Sequence, residues 1–443
     1  MVDYRLLSIF SLWLLSFLAM PLQAGPKIES WFTTGGARVM FVHAPELPML
    51  DIELVFDAGS ARDKNSQGLA LLTNALLPDG AGDWSADQIA ERLESVGAEI
   101  DIGSGRDMAW VSVRTLTESQ ALETAVETLA TVVSAPRFRL ADFERNREAM
   151  LVSLSQGEQS PGTVAGKAFF KALYGEHAYA GYRGGSRESL AALSTSDVKA
   201  FYQRYYVARN ALVAIVGAVD RRQAEQLAER VTAGLTAGEH APQPPKVSSL
   251  EKAKEVIKPF PSSQSHILMG QPGVYRGDPD YFTLYVGNHI LGGSGLVSLL
   301  SEEVREKRGL SYSIYSYFSP MRRSGPFIVG AQTQNARADE ALAVIRKTLQ
   351  HYIDEGPSET ELTAAKQNIT GGFPLRIASN SKIIGYLAML GFYDQPLDYL
   401  NTFVDKINAV TREQIREAFA RRIDPTRFVT VVVGNGKKAQ SGQ

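Results

Sequence analysis

The sequence predicts an α+β protein made of two homologous halves, each a mostly antiparallel sheet packed with helices, joined by an extended linker into a clamp. Its 443 residues exceed what one ordinary core requires. The order of helix and strand patterns in the first half recurs in the second. Between them, the segment at 237–255 has three prolines and no apolar periodicity, which is typical of a linker. We therefore expect an N-terminal domain at 25–236 and a C-terminal domain at 256–443.

The first 24 residues have the order of a secretory signal peptide. Arg5 supplies a positive charge, the uncharged apolar run at 6–20 follows, and Pro21 precedes the small residue Ala24. A run of 15 residues is shorter than the roughly 20 that a membrane-spanning helix needs, so an uncleaved anchor is disfavoured. We predict cleavage near Ala24, a periplasmic or secreted protein, and no membrane association after cleavage.

The elements of the N-terminal domain follow from local patterns. Two alternating runs around a proline-containing turn at 37–63 predict a β-hairpin. A helix and two strands are expected at 85–116, and helices at 118–133 and 140–160. A capped helix and the strand ALVAIVG at 193–220 close the domain.

The C-terminal domain repeats this plan with a period of roughly 210 residues, too long for a solenoid repeat. The segment DPDYFTLYVGNHILGG predicts a helix entering a glycine turn, and GLSYSIYSYFSP and GPFIVGAQTQ predict strands. Two helices follow in ADEALAVIRKTLQHYIDEG and SETELTAAKQNITGGFPLRI. The closing strand FVTVVVG then corresponds to ALVAIVG of the first half.

Composition and histidine spacing exclude several kinds of chemistry. Charged residues make up 21% of the chain and the net charge is −2, so we expect no nucleic-acid partner. The sequence has no cysteine, and no two of its six histidines lie within five positions of each other. A zinc site built from this chain alone is therefore not expected. His177, His266 and His289 are interpreted as packed or hydrogen-bonded residues.

The sequence GGSG at 292–295 contains the glycine loop Gly292, Gly293 and Gly295. No Lys-Ser or Lys-Thr follows it, which disfavours a phosphate loop, and no nucleophile-elbow pattern surrounds it. We expect these glycines to let the backbone approach another chain or the facing half.

The segment SEEVREKRGLSYSIYSYF at 301–318 predicts an amphipathic helix that ends at Gly309 and turns at once into a strand. Arg305 and Tyr312 would then converge across the junction. Such a pair could hold the carbonyl oxygens of an extended peptide or an oxyanion. The alternative is a solvated helix arginine and an ordinary sheet tyrosine.

The stretch REKRGLSYSIYS resembles the C-terminal-half signature of the pitrilysin/insulinase family of zinc metallopeptidases, in the small two-domain branch that includes the mitochondrial processing peptidases. The resemblance covers nearly the whole chain, including FDAGSARD, GLALLTNALL, LGGSG and the closing helix and strand. It implies that Arg305 and Tyr312 bind substrate in a closed chamber.

The same resemblance places a degenerate zinc site in the first half. Family members carry G-x-A-H-x-x-E-H, whose two histidines bind zinc and whose glutamate activates water. The matching positions in GLALLTNALL are Leu71, Asn74 and Ala75, and the best match to the third ligand is Asn146. None of these replaces an imidazole or a general base, so no metal is expected in this chain.

The resemblance therefore implies a non-catalytic subunit of a periplasmic zinc oligopeptidase, which binds peptides and completes the chamber of a zinc-bearing homologous partner in a heterodimer. A peptide-binding or scaffolding homodimer with no peptidase role is the alternative. An active peptidase with an unconventional metal site would need something to replace two lost imidazoles.

Overall fold

The computed structural model describes residues 25–434, and the predicted signal peptide at 1–24 lies outside the described residues. In the first half one main sheet is flanked by helices, which confirms the α+β class. The strands of the first half are β1 (Glu29–Phe32), β2 (Arg38–His43), β3 (Met49–Phe56), β4 (Gly80–Ala81), β5 (Trp84–Ser85), β6 (Glu99–Ser104), β7 (Ala109–Leu116) and β8 (Ala211–Gly217). Its helices are α1 (Leu69–Ala75), α2 (Ala86–Glu94), α3 (Ser119–Ser134), α4 (Leu140–Glu158), α5 (Pro161–Tyr174), α6 (Arg187–Ala192), α7 (Thr195–Tyr205) and α8 (Arg221–Thr232).

The second half is built from the same kinds of element, with fewer strands and helices described within residues 25–434. Its strands are β9 (Lys254–Pro259), β10 (Gln264–Pro272), β11 (Ser311–Phe318), β12 (Pro326–Gln334) and β13 (Val429–Gly434). Its helices are α9 (Tyr281–Asn288), α10 (Ala338–Glu355), α11 (Glu359–Arg376), α12 (Asn380–Phe392), α13 (Tyr399–Ala409) and α14 (Arg412–Arg422). Two π-helical segments, His289–Gly293 and Ser301–Glu306, lie between α9 and β11. Within residues 25–434, no helix is long and apolar enough to span a membrane.

Helix starts agree with the capping signals in the sequence. The Ser85 hydroxyl accepts a hydrogen bond from the Gln88 backbone N–H at 3.2 Å, and the Gln88 side chain accepts one from the Ser85 N–H at 2.9 Å. Thr411 and Gln414 form the same capping box at the start of α14. Each box satisfies backbone donors that the first helical turn leaves free.

The two main sheets share one topology, which confirms the internal duplication. The first sheet has the strand order β1-β2-β8-β3-β7-β6, and the second has β11-β12-β10-β13-β9. Without β1, the second order is the first read backwards, with β9 corresponding to β2 and β11 to β6. The closing strand lies parallel to its neighbour in both sheets, β8 against β2 and β13 against β9, and the other pairs are antiparallel.

The hairpin predicted at 37–63 is wrong. Strands β2 and β3 both form, but β8 lies between them, with Val213 opposite Val39 on one side and Leu54 on the other. All seven residues of β8 are buried, as expected for the centre of a sheet covered on both faces. A strand of this kind excludes a hairpin between its two neighbours.

Each half donates one helix to the sheet of the other half. Helix α5 packs on β10 and β13, and helix α12 packs on β8, β3 and β2. At the second contact, a Cβ on Gly391 would lie only 2.5 Å from the Leu212 side chain and 2.8 Å from that of Met40. The halves are therefore interlocked as well as linked, and opening them as a clamp would separate both exchanged helices from their sheets.

A buried polar network joins the two halves where the β6–β7 turn meets the β11–β12 turn. Asp107 accepts hydrogen bonds from the hydroxyls of Tyr179 at 2.6 Å and Tyr393 at 2.9 Å, and from the Arg322 backbone N–H at 2.7 Å. The same Arg322 side chain lies 3.4 Å from the carboxylate of Asp57. Burial and the Asp107 charge raise the pKa of both tyrosines, so they remain neutral donors.

The linker is extended and held to both halves. Residues 237–253 form no helix or strand, and β9 begins at Lys254, two residues before the predicted start of the C-terminal domain at 256. The carbonyl oxygen of Pro242 accepts a hydrogen bond from Arg62, and that of Pro244 accepts one from Arg323. The linker is thus fixed along its proline-rich part.

Candidate functional site

The helix that matches the family's zinc helix is formed, and its start is fixed by a buried carboxylate. Gly68 precedes α1 with φ of +96°, a conformation that favours glycine. Asp63 accepts hydrogen bonds from the backbone N–H groups of Gly68 at 2.9 Å and Ala70 at 2.7 Å. Leu71 and Ala75 lie one turn apart on the same face of α1 and are half-buried. Their side chains carry no nitrogen, oxygen or sulfur atom that could bind a metal.

Asn74, at the position of the family's catalytic glutamate, is a buried structural residue that is 1% exposed. Its amide donates hydrogen bonds to the carbonyl oxygens of Gly103 at 2.8 Å and Trp110 at 3.3 Å, on β6 and β7. Its side-chain oxygen accepts one from the hydroxyl of Tyr206 at 2.9 Å. The side chain therefore fixes α1 to two strands and to the segment after α7.

Asn146 lies on α4 beside the C-terminal end of α1. Its amide donates to the carboxylate of Asp79, which follows Ala75 by four positions, and to the carbonyl oxygen of Asp142 at 2.9 Å. Over residues 25–434, no group of three or more His, Cys, Asp or Glu residues is arranged to hold a metal ion. The described part of the chain thus offers no replacement for the family's ligand set.

Arg305 and Tyr312 are brought together, as the sequence predicts. The Arg305 guanidinium carbon lies 5.2 Å from the centre of the Tyr312 ring, within the range of a cation–π interaction. Tyr312 is 81% exposed, and its register against β12 is broken by a β-bulge between Ser311 and Ser313. Bulges of this kind redirect a side chain at a strand edge.

The helix before this strand differs from the prediction in its winding. Ser301–Glu306 is π-helical, and Gly309 follows with φ of +58°. Arg308 is held by Glu303, whose carboxylate lies 2.7 Å from its guanidinium. The only ion pair described for Arg305 in residues 25–434 is at 3.5 Å, to Glu306. Arg305 is therefore the arginine left available beside Tyr312.

Gly292 and Gly293 approach their own half and not the facing half, whereas the expected approach to another chain stays a prediction. A Cβ on Gly292 would lie 2.4 Å from the Ser316 hydroxyl oxygen, and one on Gly293 would lie 2.9 Å from the Asn288 amide. Gly295 has φ of +66° and open space around it. The loop is glycine-rich because it is pressed against β11 and then turns sharply.

The histidines behave as packed residues. His177 accepts a hydrogen bond from the Tyr179 N–H at 3.1 Å, and its other ring nitrogen lies 3.0 Å from the carbonyl oxygen of Pro245. Burial lowers the pKa of His266 and of His289. None of them lies in a group that could hold a metal among residues 25–434.

Asn288, which the sequence patterns did not single out, has the same role in the second half as Asn74 has in the first. Asn288 ends α9, the helix that corresponds to α1, and follows Asn74 by 214 positions. Its amide donates to the carbonyl oxygen of Ser316 on β11 at 3.0 Å, and its oxygen accepts from the Ser316 hydroxyl at 2.7 Å. The duplication period alone could have identified this pair. Both halves therefore fix the same helix to the same edge strand through an asparagine.

Fold and site together define a homologue of inverted-motif zinc peptidases that lacks the zinc motif. Residues 38–182 match the family model of insulinase (peptidase family M16), and residues 192–369 match that of the peptidase M16 inactive domain. The two matches cover more than half of the chain. The chain belongs to the M16 (insulinase) family.

Solved structures support the same assignment. The crystal structure of a peptidase M16 inactive domain from Pseudomonas fluorescens is 37% identical, covers 92% of this chain and 97% of that one, and superposes with a TM-score of 0.89. A protease from Helicobacter pylori is 19% identical, covers 92% of this chain and 99% of that one, and has a TM-score of 0.86. The second match supports the fold alone.

Sequence relatives carry names of two kinds. A protein of Mycobacterium leprae named an uncharacterized zinc protease is 27% identical over 405 residues, 90% of each chain. A Helicobacter pylori protein named a non-peptidase homolog is 24% identical over 434 residues, 97% of this chain and 99% of that one. Leu71, Asn74 and Ala75 associate this chain with the second kind, as an inactive homologue of the M16 peptidases.

Proposed function

We propose that this chain is the non-catalytic subunit of a periplasmic zinc oligopeptidase. It binds the peptide substrate and completes the chamber of a homologous partner that carries H-x-x-E-H. The observation that carries the proposal is the contact of Arg305 with the exposed Tyr312 in a chain whose zinc helix has Leu71 and Ala75. A scaffold without a role in peptide cleavage would not need such a pair at the start of an edge strand.

The residues of this chain would act by binding and orienting the peptide. Strand β11 pairs only with β12 in the described structure and is therefore an edge strand, the position at which a peptide strand could be added. Arg305 and Tyr312 lie at the start of this strand, where their N–H and O–H groups would donate hydrogen bonds to peptide carbonyl oxygens. When bound by the partner, zinc would activate water and polarise the scissile carbonyl.

Export to the periplasm or beyond is part of the proposal and is supported by the sequence at 1–24. An exported subunit and an exported zinc-bearing partner would meet after their signal peptides are removed. The absence of cysteine from all 443 residues makes the fold independent of the redox state of that compartment.

Zinc content and peptidase activity test the proposal. The purified chain should hold no stoichiometric zinc and cleave no peptide of a quenched library, whereas mixing with an exported H-x-x-E-H homologue should produce or strongly raise cleavage. Arg305→Ala combined with Tyr312→Phe should lower kcat/KM of the mixture about 100-fold or more, because each removes a hydrogen bond to the reacting peptide.

Matched control variants are Arg308→Ala and Tyr275→Phe. Arg308 is held by Glu303, and Tyr275 is an exposed tyrosine in the same half. Full activity of the Arg305 and Tyr312 double variant would refute the binding role. Zinc and activity in the chain alone would refute the interpretation of Leu71, Asn74 and Ala75.

A homodimeric peptide-binding or scaffolding protein is the second candidate, favoured by the same loss of metal ligands. Light scattering and peptide binding separate it from the first candidate. A stable homodimer that binds peptides but activates no H-x-x-E-H homologue would favour the scaffold.

A further inference from the structure

The second half contains a pocket of about 390 Å³ between α9, α11 and the end of β11, here named the β11 pocket. It occupies the place that the zinc site has in the first half of active relatives, since Tyr285 and His289 follow Leu71 and Ala75 by the same 214 positions as Asn288 follows Asn74. Its polar lining includes Arg276, Tyr281, Tyr285, His289, Tyr317 and Arg376.

Positive charge without a matching carboxylate distinguishes this pocket. No Asp or Glu lines it. The Nε atom of Arg276 is buried and has no hydrogen-bond acceptor within residues 25–434. Arg376 donates to the hydroxyl of Tyr285 at 2.9 Å and is also hydrogen-bonded to Tyr386, and no ion pair of Arg376 is described within residues 25–434. A buried guanidinium donor without an acceptor is unfavourable, and an anionic ligand in the pocket would compensate the charge of the guanidinium group.

Neighbouring acidic residues are already neutralised. Asp278 and Asp280, which precede α9, are bound by Arg422 at 2.9 and 2.6 Å, and Asp280 also by Arg421 at 2.8 Å. The pKa of His289 is lowered by burial and by the nearby Arg376 charge, so this imidazole is neutral at pH 7. The positive charge of the pocket therefore comes from two arginines.

The position of the pocket along β11 links it to peptide binding. Residues 316–320, the end of this strand and the turn after it, line the pocket, whereas Tyr312 lies at the start of the strand. Five residues of strand span about 17 Å. A peptide added to the edge strand β11 would therefore reach the pocket about five residues from the point that Arg305 and Tyr312 hold.

We propose that the β11 pocket binds a carboxylate of the peptide that lies along β11, with Arg276 and Arg376 as donors. This inference rests on the proposed peptide-binding function and defines its substrate class, which is peptides with a carboxylate about five residues from the Arg305–Tyr312 pair. A peptide parallel to β11 would present its C-terminal carboxylate, and an antiparallel peptide would present an Asp or Glu side chain near its N-terminus.

Calorimetric titration of the full chain with three N-acetylated peptides of about ten residues tests this proposal. The first has a free C-terminal carboxylate and no acidic residue, the second is its C-terminal amide, and the third is the amide with one Glu near the N-terminus. One carboxylate peptide should bind at least about tenfold more tightly than the neutral amide. The first or the third peptide then identifies the source of the carboxylate.

Variants of the two pocket arginines test whether the preference for a carboxylate peptide arises in the β11 pocket. Arg276→Gln and Arg376→Gln should each remove the preference for the carboxylate peptide while leaving the affinity for the neutral amide within about twofold. Arg222→Gln, which makes the same charge change at an exposed site of α8, should keep the preference. Because Arg376 is exposed and ends its helix, its variant tests the pocket even if Arg276→Gln fails to fold.

The outcomes separate the two proposals. Equal affinity for all three peptides, unchanged in both pocket variants, would overturn the carboxylate assignment and leave peptide binding intact. A carboxylate preference that survives in both pocket variants would also overturn it. If none of the three peptides binds, both the proposed function and this inference are refuted.

Discussion

Replacement of Asn74 by alanine should destabilise the protein strongly, although the residue marks a lost catalytic position. The change removes two hydrogen bonds to the strand carbonyls of Gly103 and Trp110 and one from the Tyr206 hydroxyl. Tyr206 is 2% exposed, so its hydroxyl would lose its partner in a buried environment. Asn74 is therefore expected to act in stability and not in peptide cleavage.

The magnitude follows from the number and burial of these bonds. A hydrogen bond contributes about 1 kcal/mol net, and a buried polar group left without a partner costs about 1–3 kcal/mol. The two bonds to strand carbonyls and the one orphaned hydroxyl therefore give a loss of about 3–5 kcal/mol. Asn288→Ala removes two bonds, both to Ser316, so we expect a smaller loss of about 2–3 kcal/mol.

Urea unfolding followed by tryptophan fluorescence measures the free energy of unfolding of both variants and tests whether Asn74→Ala loses more stability than Asn288→Ala. Asn65→Ala, an asparagine exposed in the same half, is the control and should change the free energy of unfolding by less than about 0.5 kcal/mol. A loss below about 1 kcal/mol for Asn74→Ala would refute the structural role. Hydrogen exchange should show faster exchange of the α1 amides in the Asn74 variant than in the control.

Three further variants test other parts of the structure. Gly292→Ala places a Cβ 2.4 Å from the Ser316 hydroxyl oxygen and should lower the melting temperature. The control Gly371→Ala, which has open space in α11, should leave the melting temperature unchanged or raise it. Equal effects of the two variants would contradict the packing of the loop on β11. Asp107→Ala removes the hydrogen-bond acceptor of two tyrosine hydroxyls and of the Arg322 N–H. This variant should speed proteolytic cleavage of the linker at 237–253. An unchanged cleavage rate would show that the network does not hold the halves together. Burial and the charges of Asp101 and Asp51 raise the pKa of Glu53 to about 7, so its neutral form stabilises the fold below pH 4.5 and this contribution is lost as the pH rises through 7. Glu53→Gln should therefore gain about 1–3 kcal/mol relative to the unchanged chain between pH 5 and pH 8 in urea titrations, and a gap independent of pH would contradict the raised pKa.

Patterns within short segments of the sequence predicted the structural elements that depend on short-range interactions. Alternating strands, capped helices and the duplication all follow from side-chain periodicity within single segments. The contact between Arg305 and Tyr312 was predictable because one turn at Gly309 joins the helix to the strand. The π-helical winding before it was not, because one extra residue in a short helix leaves no clear mark in the periodicity.

Strand order and helix exchange lay beyond local reasoning. The insertion of β8 between β2 and β3 joins segments about 170 residues apart, which no turn signal encodes. The exchange of α5 and α12 likewise depends on surfaces that are distant in sequence. One signal was present, because α12 is apolar on most of its circumference, as expected for a helix buried between two surfaces.

The comparison of the two halves shows where the proposed activity resides. Gly103 and Ser316 accept the asparagine hydrogen bonds in the two halves. The same sequence offset relates Arg92 to Arg305 and Glu99 to Tyr312. Arg92 is bound to Glu127 at 2.5 Å and stacks on Trp84, so the first half has an arginine that is already occupied and no tyrosine beside it.

The asparagine that fixes the helix is therefore common to both halves, whereas at these matched positions an available arginine beside an exposed tyrosine is described in the second half and not in the first. Without zinc ligands, the helix of the first half resembles that of the second in being fixed to its edge strand by an asparagine. We infer that the proposed peptide-binding function depends on the edge strand β11, with Arg305 and Tyr312 at its start and the β11 pocket at its end.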